Sequence, residues 1–481
     1  MRTLSIFNSL TRTVEKFEPL NPPLVTYYSC GPTVYSRQHL GNMRSYLFAD
    51  TLKRALEFDG FTVRHVMNIT DVGHMTSDAD AGEDKVEMAA HAEGRSPQEL
   101  AARYTQAFLG DLEQLNVEPA EVYCRATDHI TDMIGLIGRI IERGYAYVAP
   151  SGVYFDVVRY RACGRSVAEA KGSGRPGRLS RQRLEEQHSA QRLEHAPDKR
   201  SPHDFALWVL NQPRHLMQWD RPWGRGYPGW HVECSAMAMK YLGETIDLHS
   251  GGIDHIPIHH ENEIAQSESA TGKPFARYFV HNAFLVGSEG AKISKSAGRF
   301  PVLDDLVAAG INPLAFRLFC FAAKYRSELG FSLDALKAAE RNLYYLWGFT
   351  KVARPEQPDA PFARDYYERF AEALNDDLNT PRALAAALEL VAEAYRRSDL
   401  RVWQTLTALD RVMGLRLEAQ LNYVRASRLP DDIQALVDRR TRARAERNFE
   451  LADQLRQELV ARGYEVRDRR DGSSSYAPRW S

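Results

Sequence analysis

The sequence predicts an α/β protein: a parallel sheet first, then a helical region. Two observations carry this. Residues 24–42, LVTYYSCGPTVYSRQHLGN, read as a strand rich in Val and Tyr, a Gly-Pro break and the first turn of a helix that stops near Gly60. A second apolar run, FTVRHVMNIT, follows that helix and ends at Asn68 and Asp71, so polar groups again stand at a strand's C-terminal end. Strand–helix–strand in this order is how parallel sheets are built. Cys30 at the first strand's end and His39 before the helix occupy the kind of junction where open α/β sheets bind ligands. There, free N–H groups and the helix dipole favour phosphate. From about residue 301 the pattern turns almost wholly helical, and residues 361–415 are rich in Ala, Leu, Glu and Arg with 3.6-residue periodicity, as in an α-bundle.

The chain has 481 residues, which points to three or four domains. It is 44% hydrophobic and 26% charged and has no run of 18 apolar residues, so no transmembrane helix is expected. The N-terminal stretch has no apolar core followed by small residues and reads as mature structure. The net charge of −1 neither requires nor excludes a polyanionic partner, which needs only a local basic face. Five scattered cysteines, Cys30, Cys124, Cys163, Cys234 and Cys320, suit a reducing compartment and leave thiolates for metal or catalysis.

Between these landmarks, residues 72–95 read as a loop and a helix, and Ser96 with Glu99 forms a capping box for the next helix. HITDMIGLIGRIIERG is a further helix and GVYFDV a strand. Residues 160–203 are rich in Arg, Gly, Ser and Gln, as in an insertion. The Arg-rich stretch 171–200 within them reads as solvated. TIDLHSGGID is strand-like, a helix starts near Pro257, and YFVHN leads through Gly287 and Gly290 to a lysine loop. From Leu421 onward there are 13 Arg, no Lys and 10 acidic residues, so the C-terminal end carries a basic surplus.

Two constellations carry chemistry. Cys234 lies in GWHVECSAM, and His259 and Glu263 stand four apart in IHHENEIAQ. On a helix that spacing places both on one face, within reach of one metal ion, with Cys30 as a fourth donor. Two thiolates, an imidazole and a carboxylate suit Zn²⁺. His249, His255, His260 and Glu261 compete for the same role, and the alternative is that the cysteines are small buried apolar groups and His259 caps a helix. The second constellation is Lys292 and Lys295 in KISKS, which suits a mobile clamp on triphosphate. Its alternative is a solvated basic turn, and no GxxxxGK[ST] loop is present.

Together these pieces resemble the class I aminoacyl-tRNA synthetases. QHLGN (38–42) resembles the family's HIGH motif with Asn42 in the last position, and KISKS resembles KMSKS with Ile293 for Met. CGPTVY, NITDVGH, GWHVECSAM, HHENEIAQS, DDLNTPRALAAALEL and the closing ARAERNFELADQLRQELVARGYEVRD are similar, in order and spacing, to the cysteinyl-tRNA synthetase family. The terminal DRRDGSSSYAPRW departs from it. The resemblance implies a Rossmann-like parallel-sheet catalytic domain (1–125 and 204–300) with an inserted connective subdomain (126–203). A helical stem-contact region (301–345), an α-helical bundle (346–425) and a small anticodon-binding-like C-terminal domain (426–481) would follow. It implies one Zn²⁺ per chain on Cys30, Cys234, His259 and Glu263, and Trp230 packed near the substrate. It places Thr70, Asp254 and Gly41 against the amino acid or the nucleotide. His39 and Asn42 would stabilise the α-phosphate, and Lys292 and Lys295 would hold the pyrophosphate. The implied reaction joins L-cysteine to tRNA(Cys) with ATP and Mg²⁺, in a cytoplasmic monomer with no membrane partner. Two alternatives keep part of this chemistry: a cysteine ligase with a small-molecule amine acceptor, and an inactive tRNA-binding paralogue.

Overall fold

The structure, a computed structural model, describes residues 4–73, 75–77, 81–162, 177–182, 198–213, 215–287, 300–426, 431–468 and 474–478. The chain divides into two compact units, Met1–Arg416 and Leu417–Ser481.

The first unit is organised by a five-stranded sheet. Its strands are β1 (Leu24–Ser29), β2 (Thr62–Ile69), β3 (Val122–Arg125), β4 (Ile246–Gly252) and β5 (Ala276–Asn282), in the order β5-β4-β1-β2-β3, and every neighbouring pair is parallel. Helix α1 (Leu40–Phe58) joins β1 to β2. Helix α2 (Ile130–Glu142) follows β3, α3 (Trp230–Leu242) precedes β4, and α4 (His259–Thr271) joins β4 to β5. The chain leaves β1 toward one edge of the sheet and later returns on the other side, so the strand order reverses between β1 and β4. A crevice opens at the C-terminal ends of two strands where the order reverses. Cys30 and Gly252 mark that place, held together by Cys30 N donating to Ser250 O (3.0 Å).

Both sheet faces are covered, which is why β4 is buried along its whole length. Val25, Tyr27, Leu52, Leu56 and Leu248 pack in one cluster, and Tyr28, Val66, Val232, Ile264 and Phe279 in another. The capping box expected at Ser96 is present: Ser96 Oγ accepts from Glu99 N and Glu99 Oε2 accepts from Ser96 N. Within residues 72–95, the short strands Met75–Ser77 and Ala81–Asp84 pair ahead of the helix Lys85–Glu93.

A second, antiparallel sheet has the order Trp219–Arg221, Gly224–Pro228, Phe205–Leu210, Gly152–Phe155, Ala146–Ala149. It runs from the expected insertion past residue 203 and leads directly into α3. Of the Arg-rich stretch 171–200, only residues 177–182 and 198–200 lie among the described residues. The helices expected after residue 301 are present, among them Leu333–Phe349, Ala363–Asn375, Thr380–Arg396 and Trp403–Met413. The second unit contains Leu417–Ala426, the helix pair Asp431–Ala445 and Phe449–Ala461, and a hairpin of Tyr464–Asp468 with Ser474–Pro478. Ile433, Leu436, Leu455, Leu459 and Val466 form its core.

One residue fixes how closely β1 and β2 meet at the crevice. A Cβ on Gly31 would lie 1.8 Å from the backbone oxygen of Asn68. No rotamer change relieves a backbone clash, so Gly31→Ala should destabilise the first unit by about 2–3 kcal/mol, read as a lower urea midpoint. An unchanged midpoint would show that the two strand ends can part freely.

Candidate functional site

The crevice is a cleft of about 760 Å³. Its lining includes Cys30, His39, Asn42, Thr70, Trp230, Cys234, Asp254 and His259, so residues expected at both ends of the site share one space. At one end, His39 is the N-cap of α1 and its Nδ1 accepts from Asn42 N (3.1 Å). Gly41 fits beneath this ring, since a Cβ there would lie 2.9 Å from His39. Leu40 N donates to Pro301 O (2.8 Å), which ties the start of α1 to the segment after the lysine loop. Lys292 and Lys295 themselves lie outside the described residues.

At the other end stand the thiols. Ligand atoms of Cys30, Cys234, His259 and Glu263 all lie within 4.8 Å of one another, and all four residues are buried. Their positions follow from the fold. Cys30 ends β1, Cys234 is one helical turn into α3, and His259 and Glu263 share a face of α4. His259 Nε2 meets Glu263 Oε1 at 2.8 Å. His259 Nδ1 lies 2.9 Å from His231 Nδ1, and the second Glu263 oxygen is held by His249 Nε2. Burial works against charge on Glu263, yet His249 and His259 outweigh it and hold this carboxyl well below its ordinary range. Burial likewise lowers His259, but Glu263 and Cys234 raise it to about 10. Burial pushes the Cys30 thiol up, while its hydrogen bond to Cys234, assisted by His259, brings Cys234 down to about 6. The pocket therefore favours a thiolate at Cys234.

The competing candidates separate. Glu261, between His259 and Glu263 in sequence, faces elsewhere and accepts three backbone N–H groups of residues 178–180. His260 Nε2 lies 3.2 Å from Cys30 Sγ, and its Nδ1 bonds His281 Nε2 (2.7 Å). His249, His260, Cys30 and Glu263 form a second group of donor atoms within the same distance, sharing two members with the first. The His255 ring lies beside that of His259, tilted by 47° with ring centroids 5.1 Å apart.

Trp230 opens α3 and its ring centroid lies 4.3 Å from that of His259. Thr70 is buried at the end of β2. Its hydroxyl accepts from Asn68 Nδ2 (3.1 Å) and donates to Glu233 Oε2 (3.1 Å), while Asn68 Oδ1 accepts from Gly31 N (2.8 Å). Burial pushes Glu233 well above the usual carboxyl range. Sequence reasoning missed His231, Glu233 and His281, and marked Asn68 only as a polar group at a strand end. His231 and Glu233 flank the expected Trp230 and Cys234 on one short helix segment, which was the available signal. Nothing in the pattern marks His281, because its partners, His260 of α4 and Ser9, are distant in sequence.

A family model described as the tRNA synthetases class I (C) catalytic domain matches residues 16–341. A DALR domain matches 369–418 and a cysteinyl-tRNA ligase anticodon binding domain 426–473. The Mycobacterium tuberculosis methionyl-tRNA synthetase in complex with methionyl-adenylate shares the fold at a TM-score of 0.55 and 17% identity, over 89% of this chain and 96% of that one. Sheet, cleft and family model together define a class I aminoacyl-tRNA synthetase. The cysteine–tRNA ligase of Treponema denticola is 40% identical over 97% of this chain and 98% of its own length. Cysteine–tRNA ligase 1 of Burkholderia lata is 42% identical over 98% and 96%. The chain belongs to the cysteine–tRNA ligase family, as its motifs implied. Among the described residues, no helix is long and apolar enough to cross a membrane.

Proposed function

We propose that the protein activates L-cysteine with ATP and transfers the cysteinyl group to the 3′-terminal adenosine of tRNA(Cys). The observation that carries this is the buried set of two thiols, one imidazole and one carboxylate, of which both thiols and the imidazole line the same cleft as the His39–Asn42 turn. In the first step the cysteine carboxylate attacks the α-phosphorus of ATP and pyrophosphate leaves. In the second, a ribose hydroxyl of the tRNA attacks the adenylate carbonyl, AMP leaves and the hydroxyl proton is lost. That carbonyl is already activated, so positioning matters more than a strong base.

The donor set fits Zn²⁺: soft thiolates, a borderline imidazole and a carboxylate converge at coordination range, with His231 and His249 orienting the imidazole and carboxylate. Cys30, Cys234, His259 and Glu263 would hold one ion, which when bound supplies a soft Lewis acid that prefers a substrate thiolate over serine's hydroxyl. Trp230 closes that end of the cleft, and Thr70 and Asp254 contact the amino acid or nucleotide. His39 and Asn42 meet the α-phosphate of ATP, which enters with Mg²⁺, and Gly41 lets it approach. Lys292 and Lys295 take the pyrophosphate. The basic C-terminal unit and the bundle contact tRNA, through phosphates first and single-stranded anticodon bases second. The enzyme acts as a cytoplasmic monomer.

The anticodon-binding match at 426–473 supports a tRNA acceptor over a small-molecule amine. ATP–pyrophosphate exchange with cysteine and with serine, followed by charging of total tRNA against an amino-sugar acceptor, tests the reading. Cysteine-dependent exchange and tRNA charging are expected. Charging of the amino sugar alone, or no exchange in zinc-replete protein, would overturn it.

A further inference from the structure

The turn at residues 177–182 stands on a single carboxylate. Glu261 Oε1 accepts from Arg178 N (2.7 Å), and Oε2 accepts from Leu179 N (2.8 Å) and Ser180 N (2.9 Å). Three consecutive N–H groups on one anion form a charge-assisted nest. The Arg178 guanidinium pairs with Glu268, further along the same helix α4. Gly177 N closes the turn on Gln182 O (2.9 Å), and a Cβ at Gly177 would lie 2.3 Å from Ser180 Oγ, so the turn requires glycine there. Arg12 and Arg181 tie its outer side to the hairpin of Ser5–Asn8 with Thr13–Lys16, through Ser180 O (3.3 Å) and Leu10 O (2.9 Å).

This anchoring sets Gln182 in the wall of the catalytic cleft. The residue is half-buried, and among the described residues its carboxamide has no hydrogen-bond partner. A rigidly held turn that presents a donor–acceptor group to a substrate cleft suits a polar ligand. The docking helix decides which ligand. Glu261 lies between His259 and Glu263 in sequence, so the turn is fastened to the helix that carries two of the metal donors, and Gln182 lines the same cleft as Cys30, Cys234 and His259. A carboxamide both donates and accepts, which matches an amino acid's paired carboxylate and ammonium.

We propose that Gln182 is a substrate-binding contact to the carboxylate and ammonium of the amino acid, and that Glu261 is the positioning residue that holds it there. The proposal rests on the reading of cysteine as substrate and adds two residues to it. In cysteine-dependent ATP–pyrophosphate exchange, Gln182→Ala raises KM for cysteine about five- to tenfold, the loss of one hydrogen bond, with KM for ATP and kcat within about twofold. Glu261→Gln gives a selective rise of the same kind. The double variant is no worse than the more affected single one, because both act through one turn. Unchanged KM for cysteine in Gln182→Ala, a rise in KM for ATP instead, or additive effects in the double variant would overturn the proposal. Unfolding midpoints accompany each variant, and Gln182→Ala decides alone if Glu261→Gln fails to fold. Absence of exchange in the wild type would instead sink the functional reading itself.

Discussion

Cys234→Ser is expected to strip the protein of zinc and to cost more than about 100-fold in cysteine-dependent exchange. The scale follows from the surrounding shell. Losing an outer partner of a metal ligand costs about 10–100-fold, and losing a ligand costs more. A hydroxyl of similar size replaces the one thiol that its neighbours bring down to about 6. The replacement leaves His259 and Glu263 where they are, since His231 and His249 hold them independently. The loss should therefore be chemical, with little change in fold. Metal analysis, an unfolding curve and exchange with cysteine against serine separate these quantities. His231→Ala, which frees only the far side of His259, should lose less than Cys234→Ser in both zinc content and exchange. A Cys234→Ser protein that retains one zinc per chain and still rejects serine would refute the donor set.

How much of this site was legible beforehand depends on the range of the signal. The β1–α1 junction was readable because Val and Tyr before Gly-Pro, then His before Leu-Gly-Asn, are local. The i, i+4 pair His259 and Glu263 was readable for the same reason. Choosing among His249, His260 and Glu261 was not. A helix face is fixed by periodicity, but which face meets Cys30 depends on how α4 docks against β4. Glu261, only two positions from either donor, points to residues 178–180 because two residues turn a helix side chain to the opposite side. Gly31 reads as a turn residue, whereas its reason is the approach of Asn68 from the neighbouring strand. The helices within residues 361–415 were legible as 3.6-residue periodicity. The pairing of residues 474–478 with 464–468 was not, because serines carry little strand signal.

Asp50 marks the extreme of illegibility, and its removal should have the largest effect on stability. It lies in the middle of α1 and is fully buried. Its Oδ2 accepts from Arg54 Nε (2.8 Å) and pairs with Arg317 Nη2 (2.5 Å), while Oδ1 accepts from Glu118 N (2.7 Å). The two guanidiniums reach onward, Arg54 to Arg411 O (2.8 Å) and Arg317 to Met413 O (2.6 Å). One carboxylate thus fastens the helix that begins at His39 to the end of helix Trp403–Met413. Burial alone would raise this carboxyl, but Arg317 and Arg54 outweigh it and hold it below the ordinary aspartate range. Asp50→Asn keeps the shape and leaves the buried Arg317 facing a neutral amide, while Arg54 keeps Glu118 (2.9 Å). Breaking a buried pair this way should cost about 3–5 kcal/mol, read as a lower urea midpoint at pH 7 with unchanged slope. The sign with pH follows from the lowered value. The stabilisation is complete above the unfolded aspartate value of about 4 and disappears as pH falls through the lower folded one. The gap between wild type and Asp50→Asn should accordingly stay constant from pH 7 to about 5 and narrow below about 4. Adding Arg317→Met to Asp50→Asn should recover part of the loss, because it removes the buried charge left without its carboxylate. Equal midpoints at pH 7, or a gap that widens in acid, would mean that Asp50 is not the ionised centre of this network.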